Sequence, residues 1–275
     1  MENWIVRDKI FSEENMYAKM MNFAKNENLT QTAKALPYAR EKHTGQTRKS
    51  GIFSAGKSSS EKIPYIIHPL MMACHAHAMG LRDDAVLASI LLHDVCEDCG
   101  IEPAELPFSE EVQQIVDLLT LRLDKYPDRA SAKAAYFARL CGPCAGEGKD
   151  AAAGADEVNG AETADGAQSS SSSEAPSAGD RASHAQLYKE EIHRKACFVK
   201  AVDRCNNVSM MASGFELEKI SDYIAETEKY ILPILDIIKF QCPEYHDAAF
   251  LLKYQILSAI ESEKMMVLRG EKEII

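Results

Sequence analysis

Residues 88–98 read ASILLHDVCED, an apolar run that ends in an adjacent histidine and aspartate, His93 and Asp94. Two more acids, Glu97 and Asp98, follow within one helical turn. The apolar run predicts a buried helix, and an unpaired carboxylate at its end would be costly. An imidazole beside a carboxylate suits a divalent ion, whereas the alternative is an exposed helix end with solvated acids. The stretch therefore predicts a buried helix with a metal-binding pair, His93 and Asp94, at its end.

Apolar residues recur at helical spacing on both sides of this stretch. One segment has Pro69 in its first turn and Gly80 just past its end, as is typical of a helix. The predicted helices are Glu13–Asn28, Thr30–Lys42, Pro69–Met79, Asp83–Val95, Ser109–Leu121, Ser131–Leu140, Leu187–Ala212, Glu216–Phe240 and Tyr245–Glu263. No period-two alternation with hairpin turns appears in the sequence. The sequence predicts an all-α fold, a bundle of roughly nine helices.

One internal segment, from about Gly142 to Ser183, interrupts the helical pattern. It is rich in Ala, Gly and Ser, includes the serine run 169–173, and holds almost no large apolar residue. Such a segment buries too little surface to offset the entropy that is lost on ordering. We predict a disordered insertion at 142–183 within a single domain of residues 1–275. A linker between two domains is the alternative.

The formal net charge is −11, from 31 basic and 42 acidic residues. The segment between Cys141 and Ala185 carries −6 of this charge, which leaves −5 for the rest of the chain. No broad basic surface is expected, which argues against a nucleic-acid backbone as the ligand. A local basic pocket for a small phosphorylated ligand stays compatible with these charges.

The chain offers no obvious membrane or export segment. Its longest stretch without a charged residue, 63–81, contains prolines and histidines, so no membrane span is expected. The N-terminal sequence MENWIVRDKIF lacks the features of a secretory signal, so we expect a cytoplasmic protein. There its eight cysteines are expected to stay reduced. Zinc binding by the pairs Cys96/Cys99 and Cys141/Cys144 is the less favoured alternative, because a long flexible segment separates them.

Two other segments supply residues that could complete a metal site. His68 follows two isoleucines just before a predicted helix, although a capping or core histidine would look the same. Asp203 lies in an otherwise apolar helical stretch, where pairing with Lys200 or Arg204 is the alternative to binding a metal. The candidate set of two histidines and two aspartates is His68, His93, Asp94 and Asp203.

Four motifs, in a fixed order, resemble those of a known family. They are HTGQTRKSG at 43–51, PYIIHP at 64–69, LLHDVCED at 91–98 and VKAVDRCNN at 199–207. On these motifs the chain resembles the HD-superfamily hydrolase domain of RelA/SpoT-type alarmone enzymes, from Thr30 to about Leu235. The resemblance implies an all-α HD-domain helical bundle.

In that family the domain hydrolyses ppGpp and pppGpp by removing pyrophosphate from the ribose 3′ position with a manganese ion, Mn²⁺. The resemblance therefore implies a hydrolase of the stringent response whose partner is a small-molecule nucleotide. The implied metal ligands are His68, His93, Asp94 and Asp203. The implied catalytic acids are Glu97 and Asp98, with their roles undivided. The implied substrate-binding residues are Arg48, Lys49, Lys200 and Asn207.

The match departs from the family at three places. An inserted segment, 52–63, lengthens the connection after the Arg48–Lys49 pair and could displace that pair. Residues 208–210 read VSM where the family typically has Met, Arg and Thr, which could loosen base recognition. The third departure is the insertion at 142–183. None of them removes a candidate ligand or a candidate catalytic acid.

Two other hypotheses follow from these departures. The first is an HD-superfamily phosphohydrolase that acts on another nucleotide or phosphate ester, and the second is a non-catalytic nucleotide-binding domain. A pocket lined by Arg48 and Lys49 would favour a multiply phosphorylated nucleotide over a smaller ester. About 40 residues remain after Leu235, so a stand-alone hydrolase without a synthetase domain is expected. The last helices could form a dimer face, so the oligomeric state stays open.

Overall fold

The structure, a computed structural model, describes residues 11–49, 62–142, 178–211 and 215–273. Within these ranges it is almost entirely helical, which confirms the predicted all-α class. The helices in chain order are α1 (Glu13–Asn26), α2 (Thr30–Lys42), α3 (Ile67–Ala78), α4 (Asp84–Leu92), α5 (Val95–Cys99), α6 (Glu110–Leu119), α7 (Arg129–Cys141), α8 (Ala178–Val208), α9 (Leu217–Glu226), α10 (Leu232–Gln241) and α11 (His246–Glu273). In the described ranges, no helix has the length and apolar character that crossing a membrane requires.

Helix α4 is the centre of the bundle. Every residue from Ala85 to Leu92 is buried, as expected for a helix that is apolar on all sides. It packs against α2, α3, α6 and α8. Its first turn also organises a neighbour, because the Asp84 carboxylate accepts hydrogen bonds from the backbone N–H groups of Gln31 (2.9 Å) and Thr32 (2.7 Å) at the start of α2. The apolar run thus fixes the position of the residues at its C-terminal end.

The predicted helix Asp83–Val95 ends earlier than expected. Helix α4 stops at Leu92, and the short helix α5 begins at Val95 and ends at Cys99, where Gly100 caps it with a left-handed φ of 65°. Apolar residues resume at Val95 after only two polar residues, so the pattern did not indicate the break. As a result the buried His93 and the partly exposed Asp94 lie at a junction between two helices.

A two-stranded antiparallel sheet was not predicted. Strand β1 (Thr47–Lys49) pairs with β2 (Lys62–Pro64), and Arg48 lies opposite Ile63. Strands of three residues are too short to produce a visible alternation. The pairing joins the segments on either side of residues 50–61, so most of the predicted 52–63 insertion lies outside the described part of the chain.

Three further boundaries differ from the predictions. Helix α8 begins at Ala178, so the last residues of the predicted 142–183 insertion are helical, while residues 143–177 lie outside the described ranges. The predicted helix Glu216–Phe240 is divided by a π-helical turn, Thr227–Ile231, just before Pro233, which lacks the N–H that a continuous helix needs. Helix α11 continues to Glu273, ten residues past its predicted end.

Candidate metal centre and nucleotide cavity

The four predicted metal ligands come from three helical segments and meet in one place. His68 is the second residue of α3, His93 and Asp94 form the α4–α5 junction, and Asp203 lies in α8. The Nε2 atom of His93 is 2.8 Å from Asp94 Oδ2, and the Nε2 atom of His68 is 3.3 Å from Asp203 Oδ1. Asp203 Oδ1 is also 3.9 Å from His93 Nε2. The fold thus groups the ligand atoms of His68, His93 and Asp94 and sets Asp203, more than 100 positions away in the chain, beside the two histidines.

The donor atoms of this cluster fit a divalent cation. One ligand atom each from His68, His93 and Asp94 lies within 4.8 Å of the others. His93 Nδ1 is 2.8 Å from the Ile90 carbonyl, which fixes Nδ1 as the donor, and Nε2 is buried without a hydrogen-bond partner. The close approach to Asp94 is therefore not a well-aligned hydrogen bond. Two nitrogens and carboxylate oxygens arranged in this way suit a hard or borderline metal ion.

His68 is oriented by a residue that the sequence analysis did not select. Its Nδ1 atom is 2.8 Å from the Oδ1 atom of Asn206, which is itself buried. Because Nδ1 donates to the amide oxygen, Nε2 keeps its lone pair and points toward Asp203. Such outer partners orient metal-binding histidines. Asn206 directly precedes the predicted Asn207, and only the fold reveals that the two amides face different neighbours.

The charges of the cluster favour a positive occupant. Burial opposes ionisation of Asp203, but the Lys200 ammonium and both histidines outweigh it and hold the pKa of Asp203 well below its usual range. Burial likewise opposes ionisation of Asp94, yet the adjacent His93 keeps its pKa low. Burial lowers the pKa of His93, but the charge of Asp94 prevails and raises it to about 9. The two carboxylates therefore stay ionised and are available as anionic ligands for a metal ion.

Asp203 also has partners of the kind that a structural role would require. Lys200 Nζ lies 2.9 Å from Asp203 Oδ2, and the Asn207 amide donates to Asp203 Oδ1 at 2.6 Å. Arg204, the other partner considered, instead pairs with Glu226. Asp203 therefore faces the histidines with Oδ1 and Lys200 with Oδ2. Pairing with Lys200 does not prevent Asp203 from binding a metal.

A cavity of about 370 Å³ opens beside the cluster. Five basic side chains are among the described residues that line it: Arg48, Arg129, Lys133, Lys200 and Arg204. Aromatic and apolar side chains form other parts of the wall: Tyr65, Leu119, Leu121, Tyr136, Phe137 and Tyr223. A wall that combines cations with aromatic rings can bind a phosphorylated molecule that also carries a flat ring system.

Three of the four predicted substrate-binding residues line this cavity. Arg48 donates to Asn207 Oδ1 at 3.1 Å, and its guanidinium lies 5.8 Å from the centre of the Tyr65 ring. The Lys200 ammonium lies 5.5 Å from the centre of the Tyr136 ring. Lys49 ends β1, and its side chain is outside the described part of the structure. The longer connection after β1 therefore does not carry Arg48 away from the cavity.

The two predicted catalytic acids are placed differently. Glu97 lines the cavity, where its Oε2 atom accepts a hydrogen bond from the Leu121 N–H at 3.3 Å. Burial and then the charge of Asp94 raise the pKa of Glu97, and the same two causes raise the pKa of Asp98. Asp98 is not among the residues that line the cavity. The geometry thus separates two acids that the sequence could not tell apart.

Several cavity residues were not selected from the sequence. The Tyr65 hydroxyl donates to Asp94 Oδ2, and the Tyr65 ring packs against the buried His43, with ring centroids 4.8 Å apart. Lys133 of α7 and Arg204 of α8 both pair with Glu226 at the end of α9. Tyr65 and His43 belong to the motifs at 64–69 and 43–51, so those motifs could have indicated both residues. No local pattern marked Lys133 or Glu226.

Comparison with known proteins gives relatives but no family model that matches the chain. Over 89 residues it is 42% identical to guanosine-3′,5′-bis(diphosphate) 3′-pyrophosphohydrolase MESH1 of Xenopus tropicalis, which covers 31% of this chain and 45% of that protein. It is 39% identical over 106 residues to a Vibrio cholerae protein with the same enzyme name, covering 37% of this chain and 13% of that protein.

The chain is also 30% identical to the bifunctional (p)ppGpp synthase/hydrolase SpoT of Escherichia coli over 131 residues. These residues are 46% of this chain and 17% of SpoT. The chain therefore spans less than half the length of each of these relatives. It is related to the RelA/SpoT-type hydrolases over about a third to half of its own length.

Proposed function

We propose that this chain, a relative of the RelA/SpoT-type hydrolases, converts ppGpp to GDP and pppGpp to GTP with release of pyrophosphate. One observation carries the proposal: a two-histidine, two-aspartate cluster and Glu97 share a cavity with five basic side chains. The metal-binding chemistry and the phosphate-binding chemistry thus lie within reach of one ligand. The names of the relatives support the same reaction.

His68, His93, Asp94 and Asp203 would hold the divalent ion, which we propose to be manganese. Such an ion, when bound, acidifies a water molecule and neutralises phosphate charge. Glu97 lies beside this cluster, and its raised pKa brings it closer to the range in which a carboxyl group both accepts and returns a proton. We propose that Glu97 accepts the proton of the attacking water and that Asp98 assists it. Tyr65 keeps Asp94 in place through its hydroxyl.

Arg48, Lys49, Lys200 and Asn207 would bind the nucleotide. An arginine can stack on a base or form paired hydrogen bonds with a phosphate, whereas a lysine acts as a point charge. Arg48 near the Tyr65 ring suits either role. Because Arg48 lines the cavity, a multiply phosphorylated nucleotide is favoured over a small phosphate ester. Residues 208–210, which differ from the family, are absent from the lining of this cavity, so their change weighs little against the proposal.

The remaining parts of the proposal concern the setting of the reaction. We infer that residues 1–275 act as one catalytic domain in the cytoplasm, with a small nucleotide and no nucleic acid as the ligand. The acidic net charge of −11 supports the exclusion of nucleic acid. The oligomeric state is left to measurement.

Product analysis tests the function directly. Purified protein is incubated with ppGpp and Mn²⁺, with Mg²⁺ and Zn²⁺ in parallel, and the products are separated by anion-exchange chromatography. We expect GDP and pyrophosphate in equal amounts, fastest with Mn²⁺. Turnover of other nucleotide phosphoesters but not of ppGpp would favour the broader phosphohydrolase hypothesis. Bound metal and bound ppGpp without turnover of any ester would favour the non-catalytic hypothesis.

Replacing Arg48 with alanine is expected to weaken ppGpp binding. Loss of a charge-assisted contact to a phosphate or base raises KM by about 10- to 100-fold. The KM for p-nitrophenyl phosphate, which is too small to span the cavity, should change much less. Steady-state kinetics on both substrates measure the difference.

Lys62→Ala is the matched control for Arg48→Ala. Lys62 is a basic residue on β2 of the same small sheet, but it is exposed and does not line the cavity. We expect its kinetics to equal those of the wild type. Equal losses in both variants would mean that Arg48 acts only through the general positive potential of the sheet.

A further inference from the structure

Two cysteines meet at the junction of α7 and α8, away from the metal ligands. Cys141 is the last residue of α7, and Cys197 lies on α8. The Cys197 thiol is near enough to Cys141 to act on it as a hydrogen-bond donor. The Cys197 Sγ atom lies 3.5 Å from the Leu140 carbonyl oxygen, so it contacts the peptide group that leads into Cys141. Both cysteines are free, and the two helices that carry them pack against each other.

The two thiols differ in exposure: one can meet an oxidant, and the other is buried beside it. Cys141 is half-buried and can meet a small oxidant, whereas Cys197 is only 3% exposed. Since thiolates are the reactive form, the cysteine that is both accessible and readily ionised reacts first. The hydrogen bond from Cys197 lowers the pKa of Cys141, although burial opposes this.

Other described cysteines have the opposite character. Burial raises the pKa of Cys74 to about 11 and the pKa values of Cys96 and Cys205 to about 12. The pKa of Cys99 is also raised, chiefly by burial. These thiols are protonated near neutral pH and are poor nucleophiles. Reactivity should therefore be concentrated at Cys141.

We propose that Cys141 and Cys197 are an oxidation site, at which a hydroperoxide converts the two thiols into a disulfide that joins α7 to α8. The Cys141 thiolate attacks one peroxide oxygen, which breaks the O–O bond and gives a sulfenic acid and, with one proton, water. The Cys197 sulfur then attacks the Cys141 sulfur, forms the S–S bond and displaces hydroxide, which takes the Cys197 proton to become water. Two thiols lose two electrons, and one hydrogen peroxide becomes two waters.

The disulfide would connect two walls of the cavity. Helix α7 contributes Lys133 and Tyr136 to the lining, and α8 contributes Lys200 and Asp203. Cys197 precedes Lys200 by less than one turn of α8. The link also closes a long loop between residues 141 and 197, which restricts the unfolded chain and stabilises the folded one. A reducing compartment keeps the pair as thiols, so the link forms when an oxidant is present.

Peptide mapping of the full-length protein tests the proposal. The protein is treated with a small excess of hydrogen peroxide, its remaining thiols are alkylated, and it is digested with trypsin without reduction. Cleavage should release Leu140–Lys149 and Ala196–Lys200, which carry the two cysteines. We expect these peptides joined, two hydrogens lighter than their sum, and separated again by dithiothreitol. We also expect the Tm of the oxidised protein to rise by about 5 °C or more.

Three variants assign the bond. The peptide Leu140–Lys149 also contains Cys144, so the joined species must persist in Cys144→Ser and disappear in both Cys141→Ser and Cys197→Ser. Cys99→Ser is the matched control, because Cys99 is another half-buried thiol that contacts a backbone carbonyl, that of Lys42 at 3.4 Å. It should oxidise as the wild type does.

The mapping of the wild-type protein decides the question even if a variant fails to fold. A bond within Leu140–Lys149, between Cys141 and Cys144, would overturn the proposal. So would a joined species that is lost in Cys144→Ser, or oxidation of Cys141 to sulfinic acid without any link. Because the readout is a covalent bond, it does not depend on the proposed hydrolase activity.

Discussion

Glu97→Gln is expected to lower the kcat for ppGpp by about 100- to 10,000-fold, which is the range for loss of a general acid–base group. The change keeps the size of the side chain and its acceptor oxygen for the Leu121 N–H. It removes the negative charge of the carboxylate and its capacity to exchange a proton. Metal content and the free energy of unfolding should therefore stay near wild-type values. Kinetics, elemental analysis and denaturant unfolding of the same preparation measure all three quantities.

Asp98→Asn is the matched control for this prediction. Asp98 lies on the same short helix and also has a raised pKa, but it does not line the cavity. We expect its kcat to fall by less than that of Glu97→Gln. The reverse order of effects would transfer the main proton-transfer role to Asp98. Full activity in both variants would remove the acidic pair from the mechanism.

The helices, and the candidate metal ligands that the structure brings close together, could be predicted because each is marked by a local pattern in the sequence. Thr30–Lys42 was predicted with its observed bounds, and the apolar run of α4 marked the centre of the bundle. The four ligands stood out because polar residues that can bind metal interrupted apolar segments. Burial of such residues is costly without a partner, so a shared partner was a physical expectation before any geometry was known.

The rest of the site depends on contacts between distant segments. Lys133 and Glu226 are 93 positions apart and pair inside the cavity, yet each is an ordinary charged residue on its own helix. Asn206 and Asn207 are neighbours in the sequence, but one contacts His68 and the other contacts Asp203. The break after Leu92 was hidden because apolar residues resume at Val95 after only two polar residues. Such features follow from the packing of helices and not from local preference.

Asp203→Asn is expected to cause the largest combined loss, of metal, activity and stability. Removing its charge should lower metal affinity by more than the roughly 10- to 100-fold that loss of an outer partner costs. It should also destabilise the fold by about 3 kcal/mol, because the partly buried Lys200 ammonium loses the carboxylate that lies 2.9 Å away. Elemental analysis and denaturant unfolding, the latter in the presence of a chelator, measure the two losses separately.

Asp236→Asn provides the surface control. Asp236 also pairs with a lysine, Lys253 at 2.5 Å, but its side chain is 47% exposed. Exposed pairs contribute about 0 to 1 kcal/mol, so this variant should keep its metal, its activity and nearly all of its stability. Equal destabilisation of both variants would mean that the buried Asp203–Lys200 pair contributes no more to stability than an exposed pair does.

The double variant Asp203→Asn/Lys200→Met separates the two functions of Asp203. If the stability loss comes from a stranded ammonium group, replacing Lys200 with an apolar side chain of similar length should recover most of it. Metal binding should not recover, because the double variant still lacks the Asp203 carboxylate. Recovery of both would mean that Lys200, and not a metal ion, is the partner for which Asp203 is buried. Recovery of neither would indicate that the carboxylate orders His68 and Asn207 directly, since Asp203 Oδ1 contacts both side chains.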